Sequence, residues 1–184
     1  MDDLVVDRYV GLFGEDATAT FSPDRTYRYL LTRRWRGDAP VAAFIMLNPS
    51  TADAFMVDPT IRRCISFARS WGAGGLLVLN LFALRSTDPS VLRGHPDPVG
   101  PDNDRVIAAQ LADADVLVGA VVCAWGAHGS LKGRDETVAA LIRARGGGRP
   151  LCLGTTKHGH PRHPLYVPAS TAAVEYRSEV TISA

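Results

Sequence analysis

Three uninterrupted apolar runs of strand length constrain this chain more than any other feature: VAAFIML from Val41, LLVLNLF from Leu76 and VLVGAVVCA from Val116. A shorter run, PLCLG, starts at Pro150. A strand with one face in water alternates apolar and polar side chains, so runs without alternation predict burial on both faces, as in a parallel sheet covered by helices. The segments between the runs have helical signals. Asp58 before Pro59 is an N-cap with proline at the first helical position, and Ile61, Cys64, Ile65 and Ala68 repeat at helical spacing until Gly72. A second helix is expected to begin near Pro101 and Asp102 and to carry Val106, Ile107, Leu111 and Ala114. A third uses Val138, Leu141 and Ile142 and stops at the glycine run 146–148. Strand, helix, strand, repeated, predicts an α/β three-layer sandwich with a mainly parallel four-stranded core sheet and right-handed crossovers. The stretch from Tyr27 to Trp35, followed by RGDA and then Val41, predicts an N-terminal hairpin, and AVEYRSEV predicts an edge strand.

Composition narrows the partners. The chain has 184 residues, 46% hydrophobic and 21% charged, with no internal repeat, which predicts one domain over residues 1–184. A formal charge of +1 carries no global excess that would advertise a nucleic-acid or anionic-membrane partner, so any such binding must come from a local patch. No run is long enough for a membrane span, and the first residues lack a basic flank and a long apolar centre, which predicts a cytoplasmic protein. Cys64, Cys123 and Cys152 are odd in number, far apart and set among apolar neighbours, which fits buried hydrophobes better than disulfides, a metal or an iron-sulfur cofactor.

Candidate site residues follow the proposed strands, where open parallel sheets bind ligands. Asn48 sits at the first strand end, and Pro49 stiffens the turn that Ser50 continues; these residues can hold a polar ligand group, or simply bond to the turn backbone. Asn80 lies inside LLVLNLFAL, where a buried amide must find partners; a loop backbone or the edge of a bound base would serve. KHGHPRHPLY, from Lys157 to Tyr166, has three histidines, whose spacing, broken by Gly159 and Pro161, matches zinc patterns poorly. With Lys157 and Arg162 they form a local basic patch suited to phosphates, or a solvated loop. WGAHG from Trp125 is a site wall or a turn. The phosphate-loop, dinucleotide, serine-elbow and zinc-protease motifs are all absent.

Taken together, MLNPSTAD, VDPTIRRC, NLFALRSTDP, PVGPDND, AWGAHG, LGTTKHG and PRHPLYV resemble the bacterial and phage family catalogued as domain of unknown function 1643, from about Arg28 to Tyr166. A second resemblance is to the uracil-DNA glycosylase superfamily. Its first strand ends in Asp-Pro or Asn-Pro, a second carries a base-reading Asn, and a late His-Pro motif lines the pocket. Asn48 with Pro49, Asn80, and His163 with Pro164 stand in that order here. The chain departs from that pattern at Met46 and Leu47, where glycine is usual, and at Leu165, where serine is usual.

The resemblance implies a glycosylase-like fold that binds a nucleobase, nucleotide or nucleic acid and acts as a hydrolase on an N-glycosidic bond. In that reading Asn48 holds a water, His163 donates to the leaving base, Asn80 reads its edge, and Phe55 or Trp125 stacks on it. Two alternatives remain open: a non-catalytic module for a modified base or nucleotide, and an unrelated hydrolase or transferase using Asp53 or Asp58, with Arg62 and Arg63 on a phosphate.

Overall fold

The computed structural model describes residues 3–12, 14–113, 121–144, 146 and 149–177. Eight strands form one sheet: β1 Val5–Val10, β2 Asp16–Phe21, β3 Arg28–Arg34, β4 Val41–Met46, β5 Gly75–Asn80, β6 Val121–Cys123, β7 Leu151–Cys152 and β8 Val174–Glu175. Their order is β1-β2-β3-β5-β4-β6-β7-β8. The helices are α1 Pro59–Ser70, α2 Val91–Gly94, α3 Asn103–Ala112 and α4 Arg134–Ala144.

Every residue of β4 and β5 is buried, as unalternated apolar runs require. The sheet divides the core in two. Val106, Ile107 and Leu111 of α3 and Val138 and Ile142 of α4 pack on one face with Ala43, Ile45, Leu77 and Leu79. Ile61, Cys64, Phe67 and Ala68 of α1 pack on the other with Phe44, Met46, Leu76 and Val78. Helix α1 starts where the sequence places it: the Asp58 carboxylate accepts the Ile61 N–H at 2.8 Å and Pro59 opens the first turn.

Two expectations need correction. The sheet is not mainly parallel: β4 pairs in parallel with β5 and β6, and β6 with β7, but the other four pairings are antiparallel. Strand β2 alternates buried and half-buried residues and β1 is mostly exposed, patterns the apolar runs overshadow. The hairpin from Tyr27 is also wrong in its partner. Strand β3 pairs with β2 and with β5, which lies between β3 and β4. The RGDA turn therefore feeds a strand two places away, a choice made by sheet packing and not by the turn.

The first residues of the VLVGAVVCA run, Ala114 of the second expected helix, and Gly147 and Gly148 lie outside the described residues, as does the end of AVEYRSEV; of its described residues, Val174 and Glu175 form β8 at the sheet edge.

Candidate functional site

Chain direction places the site. From β4 the chain turns to α1 on one face, and from the neighbouring β6 it turns to α4 on the other, so the two outgoing loops part and leave a crevice. A cavity of about 520 Å³ opens there, between Asn48 at the end of β4, Trp125 and His128 after β6, and Arg162, His163 and Tyr166 after β7. Met46, Leu47, Pro89, Gly126, Ala127 and Thr156 complete its wall.

The Asn48 amide is fixed in orientation. Its Nδ2 donates to Ser86 O at 2.9 Å and to Pro49 O at 3.2 Å, and the Ser86 N–H donates to Pro49 O at 2.9 Å. Both amide protons are committed to carbonyls, which leaves Oδ1 as an acceptor beside the cavity.

His163 is fixed in tautomer. Its Nδ1 accepts the Leu165 N–H at 3.3 Å, so the neutral ring carries its proton on Nε2. Burial lowers the His163 pKa below its usual 6.5, and the negative charge of Asp58 opposes that shift. The histidine loop is tied to α1, because Arg63 Nη2 donates to Val167 O and its guanidinium lies 5.2 Å over the Phe67 ring.

The remaining wall depends on two glycines. Gly126 has φ +74° and donates its N–H to Pro161 O at 2.9 Å, joining the β6 turn to the histidine loop. At Gly129 an added Cβ would lie 2.1 Å from Trp125 Cδ1. The indole is thereby held against the backbone and edge-on to Tyr176, at 5.6 Å and 86°.

Of the residues expected from sequence, Asn48, Trp125, Arg162 and His163 come together, and five do not line the cavity. Asn80 is 1% exposed in β5, opposite Met46, and its Nδ2 has no partner among the described residues. Phe55 is 66% exposed and meets Tyr9 at 6.3 Å near the β1 edge. Pro49 and Ser50 belong to the turn behind Asn48, and Lys157 is exposed in the turn before His160. Asp53 and Asp58 are also outside the cavity: Asp53 Oδ1 accepts from Phe55 N and Met56 N, and Asp58 caps α1.

Tyr166, Thr156, Pro89 and His128 stand within KHGHPRHPLY, LGTTKHG, NLFALRSTDP and WGAHG, but residue type does not single them out, and loop packing brings them to one wall. In PVGPDND the sequence marks the helix start but assigns no role to Asn103 or Asp104. In fact Asn103 Nδ2 donates to Asn80 O at 3.0 Å and Leu81 O at 3.1 Å, and Asp104 pairs at 2.6 Å with buried Arg134, which itself donates to Leu81 O. These bonds fix the loop that follows β5.

The fold is mixed α/β, and its cavity, walled by aromatic and polar side chains, lies where the sheet's outgoing loops part. Residues 28–165 match the family described as "Protein of unknown function (DUF1643)", and the chain belongs to that family. No curated protein matches it. One solved structure, the hetero-hexameric glutamate dehydrogenase of Thermus thermophilus in its Leu-bound form, aligns at 14% identity over 78% of this chain and 30% of its own, with a TM-score of 0.32. That score is too low to carry a likeness. The glycosylase resemblance finds no support in these comparisons. Among the described residues, no helix is long and apolar enough to cross a membrane, and no group of three His, Cys, Asp or Glu side chains is placed to hold a metal ion.

Proposed function

We propose that the cavity binds a nucleobase or nucleotide and hydrolyses its N-glycosidic bond. The carrying observation is that Asn48 and His163 line one cavity with their other polar atoms committed, which leaves Asn48 Oδ1 as an acceptor and the neutral His163 Nε2–H as a donor. Asn48 Oδ1 accepts a proton of one water and aims its lone pair at the anomeric carbon. The C–N bond breaks as the C–O bond forms, the bonding pair passes to the base, and the water's proton is lost to solvent. His163 Nε2–H donates to the base as its negative charge develops. An amide is no general base, so the gain comes from positioning and electrostatics. The cavity volume lies in the range of about 300 to 1,000 Å³ usual for ligand sites. Arg162 at the rim offers a cation to a phosphate, and exposed Tyr166 offers a ring to a base.

A second reading, binding without turnover, is favoured by a lining that contains no carboxylate. One experiment separates the two. Purified protein is incubated with free nucleotides and with single- and double-stranded DNA containing uracil or modified bases, and released base is measured. Release that falls at least about a hundredfold in Asn48→Ala and His163→Ala is expected, the usual scale for a positioned catalytic group. Equal release by the variants overturns the site. Saturable binding with no release assigns the binding module.

A further inference from the structure

On the α1 face of the sheet, Arg28 and Arg33 meet carbonyls of the loop of residues 52–56, and Arg85 lies near enough to act on Arg28 through space. Arg28 of β3 is 2% exposed, and the side-chain hydrogen bond found for it among the described residues runs from Nη1 to Ala52 O. Arg33 donates to Ala54 O at 2.7 Å, Asp53 O at 2.5 Å and Met56 O at 3.0 Å. Arg85 donates to Arg25 O at 3.2 Å and lies 5.1 Å over the Phe21 ring. All their acceptors are backbone carbonyls.

None of the three is ion-paired among the described residues. Asp53 and Asp58 are close enough to act on Arg28 through space, but their Oδ1 atoms are engaged by loop and helix N–H groups. Meanwhile Arg28 Nε, Arg33 Nε and Arg85 Nε are buried without partners. Asn80 Nδ2, a fourth buried and unpartnered donor, belongs to the strand beside β3.

Burying a guanidinium without an anion is costly, and an orphaned N–H adds to the cost. Burial, and repulsion by Arg85 and Arg33, pull the Arg28 pKa down to about 10, while Asp58 and Asp53 oppose the shift. Three cations and four unpartnered donors on one face, hydrogen-bonded through their side chains only to carbonyls and reached by Asp53, Asp58, Glu15 and Asp7 only through space, describe half of an ion-binding site. The matching half is a multidentate oxyanion, because guanidinium forks fit phosphate oxygens in pairs.

We propose that Arg28, Arg33 and Arg85, with Asn80, form an oxyanion seat for a phosphate group, covered by the loop of residues 52–56. The phosphate exchanges the loop's carbonyls for its own charged oxygens, and the loop lifts to admit it. The seat stands independently of the cavity, since none of its four residues lines that wall.

Thermal melts and calorimetry of the whole chain in inorganic phosphate, against chloride at equal ionic strength, test the seat. The wild-type Tm is expected to rise saturably with phosphate, and Arg28→Gln to weaken binding at least tenfold. Arg85→Gln, at a less buried position, does the same should the Arg28 variant fail to fold. Arg143→Ala, which removes an exposed arginine of α4 on the other face of the sheet, leaves binding unchanged and controls for net charge. A nucleoside 5′-monophosphate and a short single-stranded DNA form two further arms. Tighter binding of either than of inorganic phosphate, lost in Arg85→Gln, assigns the group to a nucleotide or to a phosphodiester; equal binding assigns the free ion. Melts identical in phosphate and chloride, or a phosphate effect unchanged in Arg85→Gln, overturn the seat.

Discussion

His163 shows how one residue links stability to the state of the site. Its pKa in the folded protein is below the usual 6.5, so on acidification the unfolded chain takes up this proton first. The stability it contributes is complete above about pH 6.5 and is lost as pH falls through the folded value. Denaturant midpoints measured from pH 7.5 to 5 are therefore expected to fall less in His163→Gln than in the wild type. A proton on Nδ1 would also break the bond from the Leu165 N–H, so base release or ligand binding should decline over the same acidic window.

At the scale of elements, α1 and the β6 turn hold the cavity in shape. Asp58→Asn keeps a side-chain oxygen for the Ile61 N–H, while Asp58→Ala loses the cap at about 1 kcal/mol, read as a lower midpoint. Both variants remove the charge that favours protonated His163, so a ring titration by NMR should show its pKa fall further in each. The β6 turn is more brittle. Gly129→Ala drives a methyl into Trp125, and the overpacking is expected to cost about 1 to 3 kcal/mol and to displace the indole, a change visible in near-UV circular dichroism.

For the whole molecule, the sheet sets a gradient of stability. Strands β4 and β5 are buried at every position between helices on both faces, whereas β1 is mostly exposed and β8 is two exposed residues at the opposite edge. Native-state hydrogen exchange is expected to be slowest in β4 and β5 and to reach the global unfolding free energy there, with β1 and β8 exchanging through local opening. Uniform exchange across the sheet would contradict a core organised around β4 and β5.

The sequence by itself determined the elements whose physics is local. Unalternated runs announced β4 and β5, Asp58 and Pro59 announced the start of α1, and Asn48 beside Pro49 marked a stiffened polar turn. It could not determine what depends on which elements meet. The residues after Trp35 were compatible with a hairpin, and only the burial of β5 between β3 and β4 excluded it. Asn80 and His163 had equal claim to the cavity by residue type. Tertiary packing brought His163 into the cavity wall and left Asn80 buried in β5 with an unpartnered amide. The three arginines, on β3 and after β5, carry no common spacing, and became a cluster because antiparallel pairing and one loop brought them onto the same face. Short-range propensity and capping act within a few residues, whereas a site is assembled from strand ends that only the folded sheet sets side by side.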